Sequence, residues 1–366
     1  MSTRVLVAMS GGVDSSVAAV ILKQRGYDVI GATFRFWPKD KCLEEGPKKC
    51  CSLRDIEDAR WVAMHFGFFH YVFDCQKDFQ THVIDYFCRE YLNGRTPNPC
   101  IHCNEKIKFD FLLKKADELG CAYIATGHYA KLNFNAHTNR YFLKEARDKH
   151  QDQSYVLFSL PQKKLSRILF PLADFTKEET RSLARKLSLK VHEKPDSQEI
   201  CFIRGGNYGA FLKEKLGGMI KPGNIVGTSG EILGRHEGVC FYTIGQRKNI
   251  GAYDGKPKYV IRIIAAENKI IIGDYEELRK GHFSVEKINW ISREPANPLE
   301  AMVKIRYLHP KTGATVYPVR NEISNGAGPQ NCSAKVEFAI PQAAVTPGQA
   351  AVFYEGDTVL GGGWIV

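Results

Sequence analysis

Ser10-Gly11-Gly12-Val13-Asp14-Ser15-Ser16 decides how the chain begins to fold. The apolar run Val5-Leu6-Val7-Ala8-Met9 leads into it, and Val17-Ala18-Ala19-Val20-Ile21-Leu22 follows. The first run predicts a buried parallel strand and the second a helix that ends before Gly26. A glycine loop therefore joins the end of a strand to the start of a helix. Glycines allow a close approach of backbone to ligand, and the unpaired N–H groups of a helix N-terminus hold phosphate. The hydroxyls of Ser10, Ser15 and Ser16 add donors, and Asp14 is placed to hold Mg²⁺ against a polyphosphate. The loop lacks the Lys of the G-x-x-x-x-G-K-[ST] pattern, and it is not G-x-G-x-x-G.

Outward from that loop the pattern alternates. Residues 27–36 read as a second strand whose end carries Phe34-Arg35-Phe36-Trp37. Cys50-Cys51 opens a capped helix from Ser52 towards Gly67, and 69–73 read as a third strand. A helix is expected over 79–91, a Lys-rich amphipathic helix over 105–119, and a strand over 122–126 that runs into Gly127-His128. Strand–helix alternation predicts an α/β fold with a doubly wound parallel sheet, and ligands in such sheets sit off the carboxyl ends of the strands. Gly127 and His128 are thus placed to meet a ligand. Gln151-Asp152-Gln153-Ser154-Tyr155 reads as an exposed polar turn. Thr176-Lys177-Glu178-Glu179 is a capping box that starts a helix over 178–187. A short helix near 208–216 follows a change to glycine-rich sequence. From Phe283 the sequence is all-β, with strands expected over 303–308, 314–319, 334–339, 350–354 and 359–366, enough for a small barrel. The expected domains are 1–204, a small mixed middle domain over 205–282, and a barrel over 283–366.

Composition bounds the partners. The 366 residues are 44% hydrophobic and 25% charged, ordinary for a globular protein. No apolar run reaches the roughly 18 residues of a membrane span. Met1-Ser2-Thr3-Arg4 leads straight into the first strand, so no targeting peptide and a cytoplasmic location are expected. The net charge is +11. Residues 283–366 hold seven of the 51 Lys and Arg and seven of the 40 Asp and Glu, so the whole excess lies before them. A basic excess on the part that carries the phosphate loop favours an anionic partner such as nucleic acid.

Eleven cysteines in a chain read as cytosolic point to catalysis, metal binding or burial rather than disulfide staples. Cys100-x-x-Cys103 follows the stiff stretch Thr96-Pro97-Asn98-Pro99. Three readings stand for it: a buried turn or half of a zinc site, for which the sequence has no second C-x-x-C, a nucleophile at Cys103 whose thiolate is favoured by a helix N-terminus and nearby lysines, or part of an iron–sulfur site with the distant Cys201. Cys201 follows a polar Asp196-Ser197-Gln198 turn. The remaining cysteines read as structural.

Ser-Gly-Gly-Val-Asp-Ser resembles the PP-loop of the ATP pyrophosphatases, which split ATP into AMP and pyrophosphate. An ordered series extends the likeness along the chain: Cys-Cys-Ser-Leu at 50–53, Gly-Arg-Thr-Pro-Asn-Pro at 94–99, Cys-Asn at 103–104, Ile-Lys-Phe at 107–109 and Thr-Gly-His-Tyr-Ala at 126–130. Asp-Gln-Ser-Tyr at 152–155, Cys-Phe-Ile at 201–203, Tyr-Thr-Ile-Gly-Gln-Arg at 242–247 and Val-Thr-Pro-Gly-Gln at 345–349 complete it. With these the chain resembles the tRNA-specific 2-thiouridylases.

That resemblance implies ATP-dependent sulfur insertion at C2 of the wobble uridine in tRNAs for Lys, Glu and Gln. ATP, with Mg²⁺, would adenylate the C2 oxygen and AMP would leave. It casts Cys201 as persulfide carrier and Cys103 as the nucleophile that attacks the persulfide, releasing sulfide or leaving a transient Cys103–Cys201 disulfide. Ala8, Met9, Ser10, Gly11, Gly12, Val13, Asp14, Ser15, Phe34 and Gly127 would hold ATP. Asn98, Pro99 and Cys100 would meet the target base. His128, Gln151, Asp152, Gln153, Arg306, Tyr307 and Gln349 would touch the tRNA around its anticodon. A cysteine desulfurase or a sulfur-relay protein would supply the sulfur. Several family members carry Asp, a proposed general base, where this chain has Cys100. Cys100, Cys103 and Cys201 therefore also make a three-thiolate set of the kind that binds a [4Fe–4S] cluster in related thiolases. Outside this family the loop also suits amide-forming ligases of the argininosuccinate or GMP synthetase type, and a non-enzymatic RNA-binding module with structural ATP. Residues 40–49 and 322–333, from their composition, are expected to order on tRNA binding.

Overall fold

The computed structural model describes residues 2–38, 52–195, 200–250, 255–319 and 332–366. Cys42, Cys50, Cys51, the Asp196-Ser197-Gln198 turn and nearly all of the two segments expected to order on tRNA lie outside these residues. The chain divides into two compact units: 1–83 with 100–206 and 357–359, and 84–99 with 207–356 and 360–366.

The first unit is built on a five-stranded parallel sheet. β1 (Arg4–Ala8) lies between β2 (Asp28–Arg35) and β4 (Tyr123–Ala125); β3 (Phe69–Asp74) and the short strand Ile168–Leu169 form the edges. Val5, Leu6 and Val7 are fully buried, as expected of a central strand covered on both faces. Helix α1 (Val13–Gln24) is buried at Val13 and from Ser15 through Leu22, so it forms core on most of its circumference. The Leu53–His65 helix begins with a full capping box between Ser52 and Asp55, which satisfies its first orphan N–H groups. The alternating pattern of the sequence and this sheet agree.

Three local expectations are corrected. The single helix expected over 79–91 is three pieces, Gln76–Phe79, a π-turn at Gln80–Ile84, and Asp85–Leu92. The Lys-rich helix is also not a regular α-helix. The chain turns helical at Pro99–His102, runs as a π-helix through Cys103–Phe111 and returns to α at Leu112–Glu118. Pro99 at the first helical position explains the early start, since its missing N–H would be unpaired there anyway. Cys103 is thus one turn inside the helical run, and the N-terminal N–H groups lie at Cys100 rather than at Cys103. The turn at 151–155 is not exposed. Asp152, Ser154 and Tyr155 are buried, and the Asp152 carboxylate accepts bonds from Ala146 N–H at 2.9 Å and Ser154 Oγ at 2.7 Å, which offset part of the cost of its burial.

The second unit holds two sheets. One is four-stranded, ordered Tyr259–Ile264, Lys269–Gly273, Gly223–Gly227, Ile232–His236. The other is a six-stranded barrel. The sequence missed its longest strand, Arg279–Trp290, which closes the barrel by pairing with both Ser333–Ala343 and Thr358–Ile365. Closure pairs each of the six barrel strands on both sides. The first expected barrel strand, 303–308, is observed earlier, as Leu299–Lys304.

Candidate nucleotide and sulfur-transfer site

The Ser10–Ser16 loop sits at the carboxyl end of β1 and is held from every side. The Ser15 hydroxyl donates to Gly12 C=O at 3.2 Å and accepts from Ser10 N–H at 3.1 Å, which stitches the loop across its mouth. Gly11 has φ +70°, and a Cβ there would lie 2.1 Å from the carbonyl oxygen of Asp55, so only glycine fits. Gly127, just beyond β4, approaches equally closely. A Cβ on it would lie 2.7 Å from Ser15 N and 2.8 Å from Asp14 C. The first turn of α1, whose N–H groups have no intrahelical acceptor, is thereby fixed in place.

Charge around the loop was only partly legible. Asp14, read as a Mg²⁺ ligand, is committed to other partners. Lys177 Nζ donates to both its carboxylate oxygens, at 2.8 and 2.7 Å, and Tyr129 Oη donates to it at 3.0 Å. A carboxylate already neutralised by an ammonium is not an open metal seat, so Asp14 does not fit that role here. Tyr129 Oη also bonds Thr180 Oγ1 at 2.9 Å. Lys194 Nζ donates to Gly11 C=O at 2.9 Å and to Asp58 at 2.9 Å, and it pairs with Asp55. Burial alone would lower the Lys194 pKa, but its bonds to Asp55 and Asp58 outweigh that and raise it. Arg181 donates to the Lys194 carbonyl at 3.0 Å. Sequence reasoning missed Lys177, Tyr129 and Lys194. The one signal was position, since Lys177 opens a capped helix and Lys194 precedes Pro195.

Phe34, at the end of β2, is the centre of an aromatic cluster. It stacks on Phe36 with centroids 6.1 Å apart, Phe36 stacks on Phe79 at 4.4 Å, and Phe79 meets Phe202 edge-on at 5.9 Å. Phe34 also meets Phe111 edge-on at 5.8 Å. Phe202 adjoins Cys201, and Phe111 ends the π-helix that Cys103 begins. Phe34 thus reaches the π-helix directly through Phe111 and the Cys201 segment through the chain Phe36–Phe79–Phe202. Cys100 is exposed, Cys103 buried and Cys201 half-buried, all as thiols. Beside Cys103, the Cys75 thiol is pushed up to about 12 by burial and by Asp78 and Asp74. Among the described residues no three His, Cys, Asp or Glu are gathered as metal ligands, so Cys100, Cys103 and Cys201 do not form a ready three-thiolate seat.

The residues assigned to tRNA by resemblance fall into two groups. Gln151 is half-buried, and Arg306 and Tyr307 lie beyond strand Leu299–Lys304, Arg306 exposed and Tyr307 half-buried. The others are occupied within the protein. His128 is 7% exposed, bonded through Nδ1 to Thr126 Oγ1 at 2.7 Å and packed between Phe109 and Phe170. Burial, with Lys108 nearby, keeps it neutral, far below its ordinary pKa. Asp152 is buried, as described, and burial raises its pKa. Gln153 pairs with Tyr129, its N–H donating to Tyr129 C=O at 2.8 Å while its Oε1 accepts Tyr129 N–H at 3.0 Å. Gln349 Nε2 donates to Thr96 C=O at 2.8 Å. In this structure the side chains of Asp152, Gln153 and Gln349 hold backbone, while His128 is packed among rings and bonded to the Thr126 hydroxyl. Asn98 and Pro99 lie in the segment that Gln349 holds.

A parallel α/β sheet with a glycine–serine loop on its central strand, and no Walker lysine, defines a nucleotide-using domain of the PP-loop class. Family models match in three blocks: a tRNA methyl transferase HUP domain over residues 3–205, a tRNA methyl transferase PRC-barrel domain over 209–274 and an aminomethyltransferase β-barrel domain over 280–365. The chain is 48% identical over 366 residues to the tRNA-specific 2-thiouridylase MnmA of Halothermothrix orenii, covering 99% of this chain and 98% of that one. It is 46% identical over 367 residues to the same enzyme of Acetivibrio thermocellus, covering 99% of each, and 45% identical to that of Clostridioides difficile, covering 100% and 98%. The chain belongs to the tRNA-specific 2-thiouridylase family. Among its described residues no helix is long and apolar enough to cross a membrane.

Proposed function

We propose that the protein is an ATP-dependent tRNA sulfurtransferase that makes 2-thiouridine at the wobble position of tRNAs for Lys, Glu and Gln. The observation that carries this reading is the aromatic cluster at Phe34, which ties the segments of Cys103 and Cys201 to the strand end beside the phosphate loop. An ATP-only module needs no cysteine-bearing segments tied to its loop, and neither does an amide ligase.

A uracil C2 oxygen is a poor leaving group. The Ser10–Ser15 loop would hold the triphosphate while the C2 oxygen attacks the α-phosphorus and pyrophosphate departs. Oxygen then leaves C2 as AMP. The terminal sulfur of a Cys201 persulfide forms the C2–S bond. Cys103 thiolate attacks Cys201 Sγ, the S–S bond breaks, and its electron pair stays on the departing sulfur. The Cys103–Cys201 disulfide that remains is reduced by an external thiol. Alternatively, Cys103 attacks first and the released sulfide attacks C2, with the same disulfide. Lys177 shields Asp14 from the incoming phosphates, and Mg²⁺ would be carried by ATP itself. A cysteine desulfurase or relay protein loads Cys201. The protein is read as cytoplasmic, with domains meeting near 204 and 282.

The test uses the full chain with tRNA, ATP and a persulfide donor. Cys103→Ser and Cys201→Ser should abolish thiouridine while tRNA-dependent pyrophosphate release continues. Unchanged thiouridine in Cys201→Ser would reject the persulfide route. If Cys103→Ala left a product other than thiouridine fully formed, the amide-ligase reading would replace it.

A further inference from the structure

We infer that Gln349 and Thr243 are positioning residues for the base-facing loop, holding Arg95-Thr96 so that Asn98 and Pro99 are presented to the target uridine. The inference rests on the proposed thiolation reaction for what the loop meets, and on the second unit's own contacts for how it is held.

The loop's two prolines limit its conformations, but they leave Thr96 with a full set of polar groups to satisfy. Each one is satisfied from a distant stretch of the same unit. Thr96 N–H donates to Pro347 C=O at 2.8 Å. Thr96 C=O accepts from Gln349 Nε2 at 2.8 Å. Thr96 Oγ1 donates to Thr243 Oγ1 at 3.3 Å. Near Thr243 the rings of Tyr91 and Tyr208 stack 5.2 Å apart, and Tyr208 Oη donates to Phe241 C=O at 2.9 Å, two residues before Thr243, so the stretch that receives the Thr96 hydroxyl is itself tied down. Arg95 pairs with Glu90 at 3.0 Å.

Shape agrees with the hydrogen bonds. Gly348 has φ +91°, and a Cβ on it would lie 3.0 Å from both Arg95 Cβ and Thr96 N. Gly94 has φ +68°, and its Cβ would lie 2.6 Å from Ile263 Cγ2. The chain is glycine where the loop passes over the 345–349 turn and where it meets the four-stranded sheet. Gln349 donates its amide to Thr96, so its part in the reaction runs through the loop. A direct RNA contact and a positioning role predict different kinetics. Loosening the loop misplaces the base-facing residues and lowers kcat; removing an RNA contact weakens tRNA binding.

The experiment compares the full-length wild type with Gln349→Ala, Gln349→Glu and Thr243→Val. Glutamate cannot donate to the Thr96 carbonyl, so it should behave as alanine does. In both Gln349 variants kcat for thiouridine formation should fall roughly 10- to 100-fold, as for a misplacement on the order of 1 Å, with the tRNA dissociation constant changed less than about twofold. Trypsin should cut after Arg95 several-fold faster than in wild type, followed by peptide mass. Thr243→Val, which keeps the Gln349 contact, covers the case in which a Gln349 variant fails to fold, and it should show the same two effects more weakly. A raised tRNA dissociation constant with unchanged kcat and unchanged cleavage after Arg95 would overturn the inference. So would a fall in kcat without faster cleavage. Faster cleavage in a protein whose wild type makes no thiouridine would keep the clamp and reject the proposed reaction instead.

Discussion

Replacing Gly127 with alanine adds one methyl group where the structure has no room for it. The new Cβ would stand 2.7 Å from Ser15 N and 2.8 Å from Asp14 C, against an ordinary contact of 3.4 Å or more. Both obstacles are backbone, so no rotamer change relieves them. Something must move by about 0.7 Å, and the first turn of α1 or the strand end after β4 has to supply it. Overpacking of this kind costs about 1–3 kcal/mol, and rigid neighbours put Gly127→Ala towards the upper end. The displaced groups are the N–H donors placed to meet phosphate. Because a misplacement of about 1 Å costs on the order of 100-fold in rate, a shift of about 0.7 Å predicts a loss of roughly 10- to 100-fold. The assay is tRNA-dependent pyrophosphate release at saturating ATP, with thermal unfolding of the same preparation. Wild-type rate and wild-type unfolding temperature would refute the close approach on which the site was built.

Lys177→Met should lower pyrophosphate release at least tenfold. Combined with Asp14→Asn it should add little further, because the two side chains form one ion pair; additive losses in a double-mutant cycle would contradict this. Lys194→Met leaves Asp55 and Asp58 without their shared cation at the Gly11 carbonyl, and should cost about 1–3 kcal/mol in denaturant unfolding, between the surface and buried limits for ion pairs. A pH effect follows from His70. Burial, with Arg60 beside it, brings its pKa down to about 4. Above pH 6.5 the ring is neutral folded or unfolded, and its contribution is fully present. Below that the unfolded chain takes up a proton that the folded chain refuses, so stability falls until about pH 4. His70→Gln should flatten this part of the pH–stability curve, and an unchanged slope between pH 6.5 and 4 would contradict the assignment.

What the sequence revealed was local. The loop was legible because glycines, serines and two apolar runs stand next to one another. The capping boxes at Ser52 and Thr176 were legible because their partners lie three residues apart. The π-helix at Cys103–Phe111 was not, since its widened turn leaves no periodic mark of its own and the residues still read as an amphipathic helix. His128 looked available because it follows a strand end, yet Phe109 and Phe170 bury it from elsewhere in the chain. Asp14 looked like a metal ligand because Lys177 stands 163 residues away. The clamp on Thr96 was the least legible: its partners Thr243 and Gln349 are 147 and 253 residues distant. The motifs that carry them were visible in the sequence, and the reason for them was not.

Nucleoside mass spectrometry of tRNA after incubation with the purified protein, ATP and a persulfide donor, with AMP and pyrophosphate counted in the same reaction, tests directly whether the protein makes 2-thiouridine. The expected product is 2-thiouridine that requires ATP, with one AMP and one pyrophosphate released for each thiouridine made. Unmodified uridine despite a loaded persulfide, or ATP cleaved to ADP and phosphate, would contradict it.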